Sequence, residues 1–184
     1  DYLNNYSKCA VVFCPVYKID ENGEYIDGLS GKYISQELIQ TYIFYKNCLY
    51  HTAAMMRKIS LPIPTYNEQS YAEDYNLWVD LLQKWELHIL DEALMKVRNL
   101  ANGLRYQPEC EESANKVRIK QLEWLHIYPT RIELNIHHGL VRKNKERNPY
   151  MIEEKLAWLD KLFIANNQYS VFNEPFFTAK LVEH

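Results

Sequence analysis

The sequence predicts an α/β fold, with a mixed sheet and flanking helices in the first part of the chain and helices alone in the second. Up to about residue 110, short runs rich in β-branched and aromatic residues alternate with segments whose apolar residues recur at helical spacing. Farther along, only the helical spacing recurs. We therefore divide the chain into an α/β part, residues 1–110, and a helical C-terminal part, residues 111–184.

A hairpin and a helix are the first elements that the sequence predicts. Residues 9–19 form an apolar, β-rich run, and the Asn22-Gly23 pair that follows is typical of a tight turn before a returning strand. Pro15 indicates an edge or a bulge in the first strand, because proline lacks the N–H that a ladder needs. Apolar residues at helical spacing then predict a helix over residues 34–46.

The middle of the chain predicts a strand, a helix and two further strands. Alternating side chains favour a strand over residues 48–57, which a proline-containing gap follows. From Asp74 onward, four apolar side chains mark one face of a helix: Leu77, Trp78, Leu81 and Leu82. Two short apolar runs, residues 86–90 and 93–98, then predict strands on either side of an acidic turn.

The C-terminal part predicts four helices in succession. The first covers residues 113–127, and Thr130 with Glu133 has the spacing of a capping box at the start of the second. Residues 151–167 carry an amphipathic pattern that predicts the third helix. Asn173 is a candidate N-cap for the last one.

Composition and charge exclude several classes of protein. Hydrophobic residues make up 47% of the 184 residues and charged residues 24%, as in folded globular proteins. A net charge of −3 gives no basic field, so we expect no nucleic-acid binding. No run of about 18 apolar residues occurs, and the N-terminus lacks the features of a secretory signal. We expect a cytoplasmic protein, or one at the inner face of the membrane, with reduced cysteines.

The adjacent acids Glu73 and Asp74 raise a question, because neighbouring carboxylates repel each other. A helix N-terminus favours anions by about 0.3–1 kcal/mol each, so the pair is explained by the start of a helix alone. A second explanation is catalysis, in which one carboxylate accepts a proton. The residues around the pair decide between these explanations.

Three segments in order resemble the second half of family 2 glycosyltransferases of the GT-A fold. These are an H-x-x-x-M-x-R segment (His51–Arg57), an E-D-Y-x-L-W helix start (Glu73–Trp78) and an L-x-x-x-R strand (Leu94–Arg98). The resemblance covers about residues 1–106, and the E-D-Y-x-L-W hexamer is its most specific part. The helical C-terminal part is similar to the extension of some bacterial members.

The resemblance implies transfer of a sugar from a nucleotide-diphospho-sugar to a glycan or lipid-linked acceptor, usually with inversion. It assigns Asp74 as the general base that accepts the proton of the attacking hydroxyl. Glu73 would orient the acceptor, and its charge would raise the pKa of Asp74. The resemblance also places three residues on the acceptor side, namely His51, Arg57 and Trp78, although a strand histidine is equally often a packing residue.

Two departures limit the resemblance. The family holds Mn²⁺ or Mg²⁺ with a D-x-D motif, which this sequence lacks; we expect the metal and nucleotide sites on residues that precede this chain. Arg98 aligns with the arginine near the diphosphate, but Val97 and Leu100 replace the tyrosine and histidine of many members. We therefore assign no metal ligand in this chain, and we expect the isolated chain to be inactive.

Two further features receive mainly structural interpretations. His137 and His138 are adjacent, so they point about 100° apart on a helix and are expected to be exposed or half-packed rather than to share a metal. The basic residues of the next segment most often belong to a solvated loop, with anionic lipid headgroups as an alternative partner: Arg142, Lys143, Lys145 and Arg147.

A competing hypothesis is that the chain is a non-catalytic module that binds a glycan or a partner protein. Aromatic residues make up 14% of the sequence, and such side chains line carbohydrate sites as well as ordinary cores. Asp74 discriminates between the hypotheses, since a base must be reachable in a cleft whereas a helix cap need not be. Exposed sheet edges would also favour a homo-oligomer or a partner chain.

Overall fold

The computed structural model describes residues 1–31, 34–66, 70–98, 107–140 and 151–182. Within these residues the fold is mixed α/β, with six strands, named β1 (Cys9–Phe13), β2 (Val16–Ile19), β3 (Tyr25–Ser30), β4 (Ala54–Met56), β5 (Glu86–Ile89) and β6 (Met95–Arg98). The described helices are α1 (Tyr2–Asn5), α2 (Gln36–Tyr45), α3 (Glu73–Leu82), α4 (Pro108–Trp124), α5 (Arg131–Gly139), α6 (Ile152–Tyr169) and α7 (Phe176–Val182). Among the residues described, no helix has both the length and the apolar character needed to cross a membrane.

The strands form two small mixed sheets. In the first, the fully buried β1 lies between β4, which is antiparallel to it, and β5, which is parallel. In the second, β2 lies between the antiparallel β3 and the parallel β6. The predicted run over residues 9–19 is therefore wrong as a single strand. It breaks at Cys14-Pro15, where proline offers no N–H to continue the ladder, and its two halves enter different sheets.

The predicted hairpin is confirmed in β2 and β3. Its turn is closed by the Asp20 carboxylate, which accepts hydrogen bonds from the backbone N–H groups of Asn22 and Glu24, both at 2.9 Å. Gly23 has a φ of +92°, which a residue with a side chain rarely adopts, so glycine is needed at this position. The Asn22-Gly23 pair predicted the turn because glycine readily adopts the positive φ that this position requires.

The predicted strand over residues 48–57 is wrong for its first half. Only β4 forms there, and His51 instead begins a single 3-10 turn, His51–Ala53. The Ala53 carbonyl accepts a hydrogen bond from the Cys14 N–H at 3.3 Å, where the chain of β1 turns toward the second sheet. The ladder between β1 and β4 is consequently limited to three residue pairs.

Every described element from Pro108 onward is a helix. The capping box before α5 is confirmed, since the Glu133 N–H donates to Thr130 Oγ1 at 3.2 Å and the Thr130 N–H donates to the Glu133 carboxylate at 2.7 Å. Asn173 as N-cap of the last helix is wrong. The helix α7 begins three residues later, and the Glu174 carboxylate accepts the N–H of Thr178 at 3.2 Å.

Two hydrophobic cores meet at α2. The first surrounds the β1 sheet and includes Ile43 of α2, Trp78 of α3 and Val117 of α4. The second lies among the C-terminal helices and includes Phe44 of α2 and Leu122 of α4. Both α2 and α4 contribute to both cores, and α4 spans the predicted boundary between residues 110 and 111. The division into two domains stays a prediction.

His137 corrects an expectation about the adjacent histidines. It is 0% exposed, not exposed or half-packed, and its Nε2 lies 3.2 Å from the Phe44 carbonyl. The Trp158 indole N–H donates to its Nδ1 at 3.4 Å, so Nδ1 is an acceptor and Nε2 carries the proton given to Phe44. His137 thus links α5, α6 and α2.

Candidate functional site

A cleft of about 660 Å³ opens at the start of α3 and contains both acids of the E-D pair. Its walls come from the end of α2, the segment before α3, and the first turns of α4. The helix α3 leads through a short connection into β5, so its start lies toward the carboxyl ends of β1 and β5. Ligands of open α/β sheets generally bind at this end of the strands.

Asp74 is held in the cleft by two hydrogen bonds. Its Oδ2 accepts from Asn47 Nδ2 at 2.9 Å, and its Oδ1 accepts from the Tyr75 N–H at 2.6 Å. Asn47 is itself fixed, because its side-chain oxygen accepts the Leu49 N–H at 3.1 Å. The carboxylate is half-buried, and it lines the cleft beside Glu73. It therefore has a defined orientation and access to the cleft.

The surroundings of Asp74 raise the pKa of its carboxyl above the ordinary value for aspartate. Burial is the largest cause, and the negative charge of Glu73 acts in the same direction. The Tyr75 N–H, His51 and Asn47 favour the ionised form and partly offset the shift. An aspartate at a plain helix start would be expected to have a lowered pKa, since the N–H groups there stabilise its charge.

His51 lies beside the pair, next to the wall of the cleft. Its Nε2 is 3.0 Å from the Tyr66 hydroxyl, and Tyr66 lines the cleft. The ring of His51 also stands edge-on to Trp78, with centroids 5.8 Å apart. His51 thus connects the buried floor beneath Asp74 with a tyrosine of the cleft wall.

Trp78, which the resemblance places on the acceptor side, lies in the core and does not line the cleft. It is 0% exposed and packs edge-on against Phe13, with ring centroids 4.9 Å apart. Its indole N–H has no hydrogen-bond partner within the described residues. A ligand in the cleft does not reach Trp78 in this conformation, so the residue supports α3 from below.

The structure does not bring Arg57 or Arg98 to the cleft. Arg57 donates to the backbone carbonyls of Leu3, Tyr6 and Cys9, and so holds α1 against the sheet. Arg98 donates to two carbonyls of the β2–β3 turn, each at 2.6 Å. Both arginines therefore stabilise backbone segments in this conformation.

Several cleft residues were missed by the sequence analysis. Asn47 follows a predicted helix and carries no local sign of its contact with Asp74, which is 27 residues away. Tyr66 and Tyr71 flank the acidic pair in sequence, so their aromatic character was the available signal. The N–H of Tyr71 donates to Ser113 Oγ of α4 at 3.3 Å, a contact between distant segments.

A charged group borders the cleft on the side of α4. Arg118 Nε donates to the Tyr45 carbonyl at 2.8 Å, and its Nη1 lies 2.8 Å from the Glu111 carboxylate. His138 Nδ1 lies 3.0 Å from the same carboxylate. Burial alone would raise the pKa of Glu111, but these two partners outweigh it and bring the pKa to about 2. The group is an ion-paired link between α2, α4 and α5.

Within the described ranges, no three His, Cys, Asp or Glu side chains are grouped so that they could hold a metal ion. No model of a known protein family matches the chain. A comparison with curated proteins likewise finds no significant match.

Proposed function

We propose that the protein is a family 2-type glycosyltransferase, of which residues 1–110 are the acceptor-side half of a GT-A domain and residues 111–184 a helical extension. The observation that carries the proposal is Asp74, a half-buried carboxylate with a raised pKa in a cleft beside Glu73. A general base requires a reachable carboxylate whose pKa is moved toward the working pH.

In the proposed reaction, Asp74 takes the proton of an acceptor hydroxyl as its oxygen attacks the anomeric carbon of the donor. The new C–O bond forms as the bond to the nucleoside diphosphate breaks, and the leaving group departs with that electron pair. Attack opposite the leaving group inverts the anomeric centre. Asn47 holds one carboxylate oxygen at 2.9 Å, which orients the base for this step.

Two tyrosines in the cleft wall support a sugar as the ligand. Tyr66 and Tyr71 line the cleft on the side of the segment before α3. Aromatic faces pack against the CH groups of sugars, and tyrosine adds a hydroxyl for hydrogen bonding. These residues support a glycan or the sugar of a lipid-linked acceptor as the ligand.

The donor side of the reaction is proposed from the resemblance alone. In the complete enzyme a Mn²⁺ or Mg²⁺ ion would neutralise the diphosphate of the nucleotide sugar, and we assign it no ligand in this chain. The location we propose is cytoplasmic, with acceptor chemistry at the inner face of the membrane as an alternative. The outer edges of β4 and β5 favour association with a partner chain or a second copy.

A non-catalytic glycan-binding module is the second candidate, and one observation favours it. Asp74 Oδ1 accepts the Tyr75 N–H inside the first turn of α3, which is a structural role in its own right. Arg57 and Arg98, both expected near the ligand, instead donate hydrogen bonds to backbone carbonyls. In such a module Asp74 would stabilise α3, and the cleft would bind a glycan without turnover.

The test is a turnover assay on the longest translated form of the gene product. Nucleotide sugars are supplied with Mn²⁺ or Mg²⁺, and released nucleoside diphosphate is followed for the wild type and Asp74→Asn. We expect Asp74→Asn to reduce turnover by about 10²–10⁴-fold, the contribution typical of a general base.

Asp80→Asn is the matched control for that assay. Asp80 lies on the same helix, where it pairs with Lys120 and Asn76 outside the cleft. If Asp74→Asn and Asp80→Asn changed turnover equally, Asp74 would have only a helix-stabilising role. Glycan binding without turnover of any nucleotide sugar would favour the binding module.

A further inference from the structure

Lys46 enters the cleft from a backbone position that is fixed on both sides. It directly follows α2, and it lines the same cleft as Asp74. The preceding carbonyl, of Tyr45, accepts from Arg118 Nε at 2.8 Å, and the following side chain, of Asn47, donates to Asp74 at 2.9 Å. The stem of Lys46 therefore begins between the proposed base and the ion-paired group on α4.

Lys46 and Arg118 both contribute a positive charge to the cleft wall, but they differ in whether that charge has a partner. Arg118 is paired with Glu111 and with a backbone carbonyl. The backbone N–H of Lys46 donates to the Tyr42 carbonyl at 3.3 Å, but its ammonium group makes no ion pair or hydrogen bond with any residue in the part of the chain that the structure describes. A lysine ammonium in a cleft wall without a protein partner is available for a charge-assisted hydrogen bond to a bound anion.

A purely structural role explains only part of the position of Lys46. A lysine at the end of a helix interacts favourably with the helix dipole, and Lys46 occupies the C-cap of α2. That interaction would be satisfied equally well with the side chain in open solvent. It does not explain why the side chain lines the cleft beside the acidic pair.

We propose that Lys46 selects an acceptor that carries an anionic substituent, a carboxylate or a phosphate, by pairing with it while Asp74 takes the hydroxyl proton. This inference rests on the proposed function. The charges of Glu73 and Asp74 would repel an anion close to them. The substituent therefore lies on a different carbon from the reacting hydroxyl, as in a uronic acid or a sugar phosphate.

The first test measures binding of small probes to the ¹⁵N-labelled chain by NMR. The probes are methyl β-glucuronide, glucose 6-phosphate, neutral methyl β-glucoside, and inorganic pyrophosphate as a stand-in for the donor diphosphate. We expect the anionic sugars to shift the amides of Lys46 and Asp74 and to bind more tightly than the neutral glucoside. Equal binding of charged and neutral sugars, or no binding of the charged ones, would overturn the proposal.

Variants then assign the preference to one side chain. Lys46→Met should weaken binding of the anionic sugars about tenfold, the size expected from one charge-assisted hydrogen bond, and leave the neutral glucoside unchanged. Lys46→Arg should retain most of the preference. Lys84→Met, which removes an exposed charge after α3, is the control and should have no effect.

Two results of the variant series would contradict the proposal. An unchanged preference in Lys46→Met would show that another group recognises the anion. If Lys46→Met lost only the binding of pyrophosphate, Lys46 would be assigned to the donor diphosphate instead of the acceptor. Since binding is measured without turnover, failure of this inference leaves the test of Asp74 as a base unaffected, and failure of that test leaves Lys46-dependent binding to be judged by itself.

Discussion

Two buried tryptophans, one beneath the cleft and one among the C-terminal helices, differ in how their indole N–H groups are satisfied. Trp78, beneath the cleft, is 0% exposed and Trp158, among the C-terminal helices, is 2% exposed. The Trp158 indole N–H donates to His137, whereas that of Trp78 has no partner in the described residues. A buried donor without a partner costs roughly 1–3 kcal/mol. The two tryptophans therefore differ in whether the buried indole N–H has a hydrogen-bond acceptor.

The buried side chain of Asn166 in the helical core is also hydrogen-bonded through both its amide nitrogen and its amide oxygen. Its Nδ2 donates to the Phe172 carbonyl at 3.1 Å and to the Glu174 carboxylate at 2.9 Å, while its Oδ1 accepts the Phe172 N–H at 2.8 Å. These bonds fix the turn between α6 and α7. Near the cleft, by contrast, a half-buried carboxylate keeps a raised pKa beside a second acid. Departures from full satisfaction at one place are expected at functional sites.

The largest loss of stability should come from a substitution in α2, the helix that contributes to both cores. Phe44 is 0% exposed and packs against Phe172, Phe177 and His137. Phe44→Ala should lower the free energy of unfolding by about 3–5 kcal/mol, because it leaves a cavity in the second core. Urea unfolding followed by tryptophan fluorescence and by circular dichroism measures the loss.

The same experiment tests whether the cores unfold together. Since α2 contributes to both, we expect coincident transitions from the two signals in Phe44→Ala and in the wild type. Ile152→Ala, which changes an exposed side chain on α6, is the control and should alter stability by less than about 0.5 kcal/mol. Two separate transitions would indicate independent domains, as the division at residue 110 predicts.

A smaller effect should come from the ion-paired group between the cores. Glu111→Gln should lower stability near neutral pH by about 1 kcal/mol, because Arg118 and His138 lose their charged partner while solvent screens the carboxylate, whose side chain is 41% exposed. The pKa of Glu111 is lowered in the fold from 4.5 to about 2. The stabilisation is therefore fully present above about pH 4.5 and disappears as the pH falls toward about 2.

Urea unfolding at several pH values measures this contribution. The difference between the wild type and Glu111→Gln should shrink continuously over that acidic range. Glu112→Gln, at the neighbouring exposed position that pairs with Lys116, should show no comparable dependence. A difference that stays constant down to about pH 2 would mean that Glu111 stabilises by packing rather than by charge.

Local chemistry allowed part of the fold to be predicted from sequence. The turn at Gly23, the capping box of Thr130 and Glu133, and the helix that begins at the acidic pair depend on residues near one another in the chain. In each case the backbone conformation or the hydrogen bond is set within a few positions. Such elements follow from propensity and spacing.

Long-range contacts explain what could not be predicted. Arg57 and Arg98 donate to backbone carbonyls 48 to 78 residues away. Every residue has such a carbonyl, so the sequence does not indicate which one an arginine will contact. His137 is buried because it reaches Phe44, 93 residues earlier. The acidic pair was placed in the site from a motif, but its neighbours Asn47 and Lys46 become visible only when α2 packs beside α3.

The most direct test of the central claim is a ¹³C NMR titration of the Asp74 side-chain carboxyl, in the wild type and in Glu73→Gln. The account predicts a pKa above the ordinary value of aspartate, owing to burial and to Glu73, and a lower pKa in Glu73→Gln. A pKa at or below the ordinary value, unchanged by Glu73→Gln, would contradict it. Asp74 would then be an acid that only stabilises the start of α3.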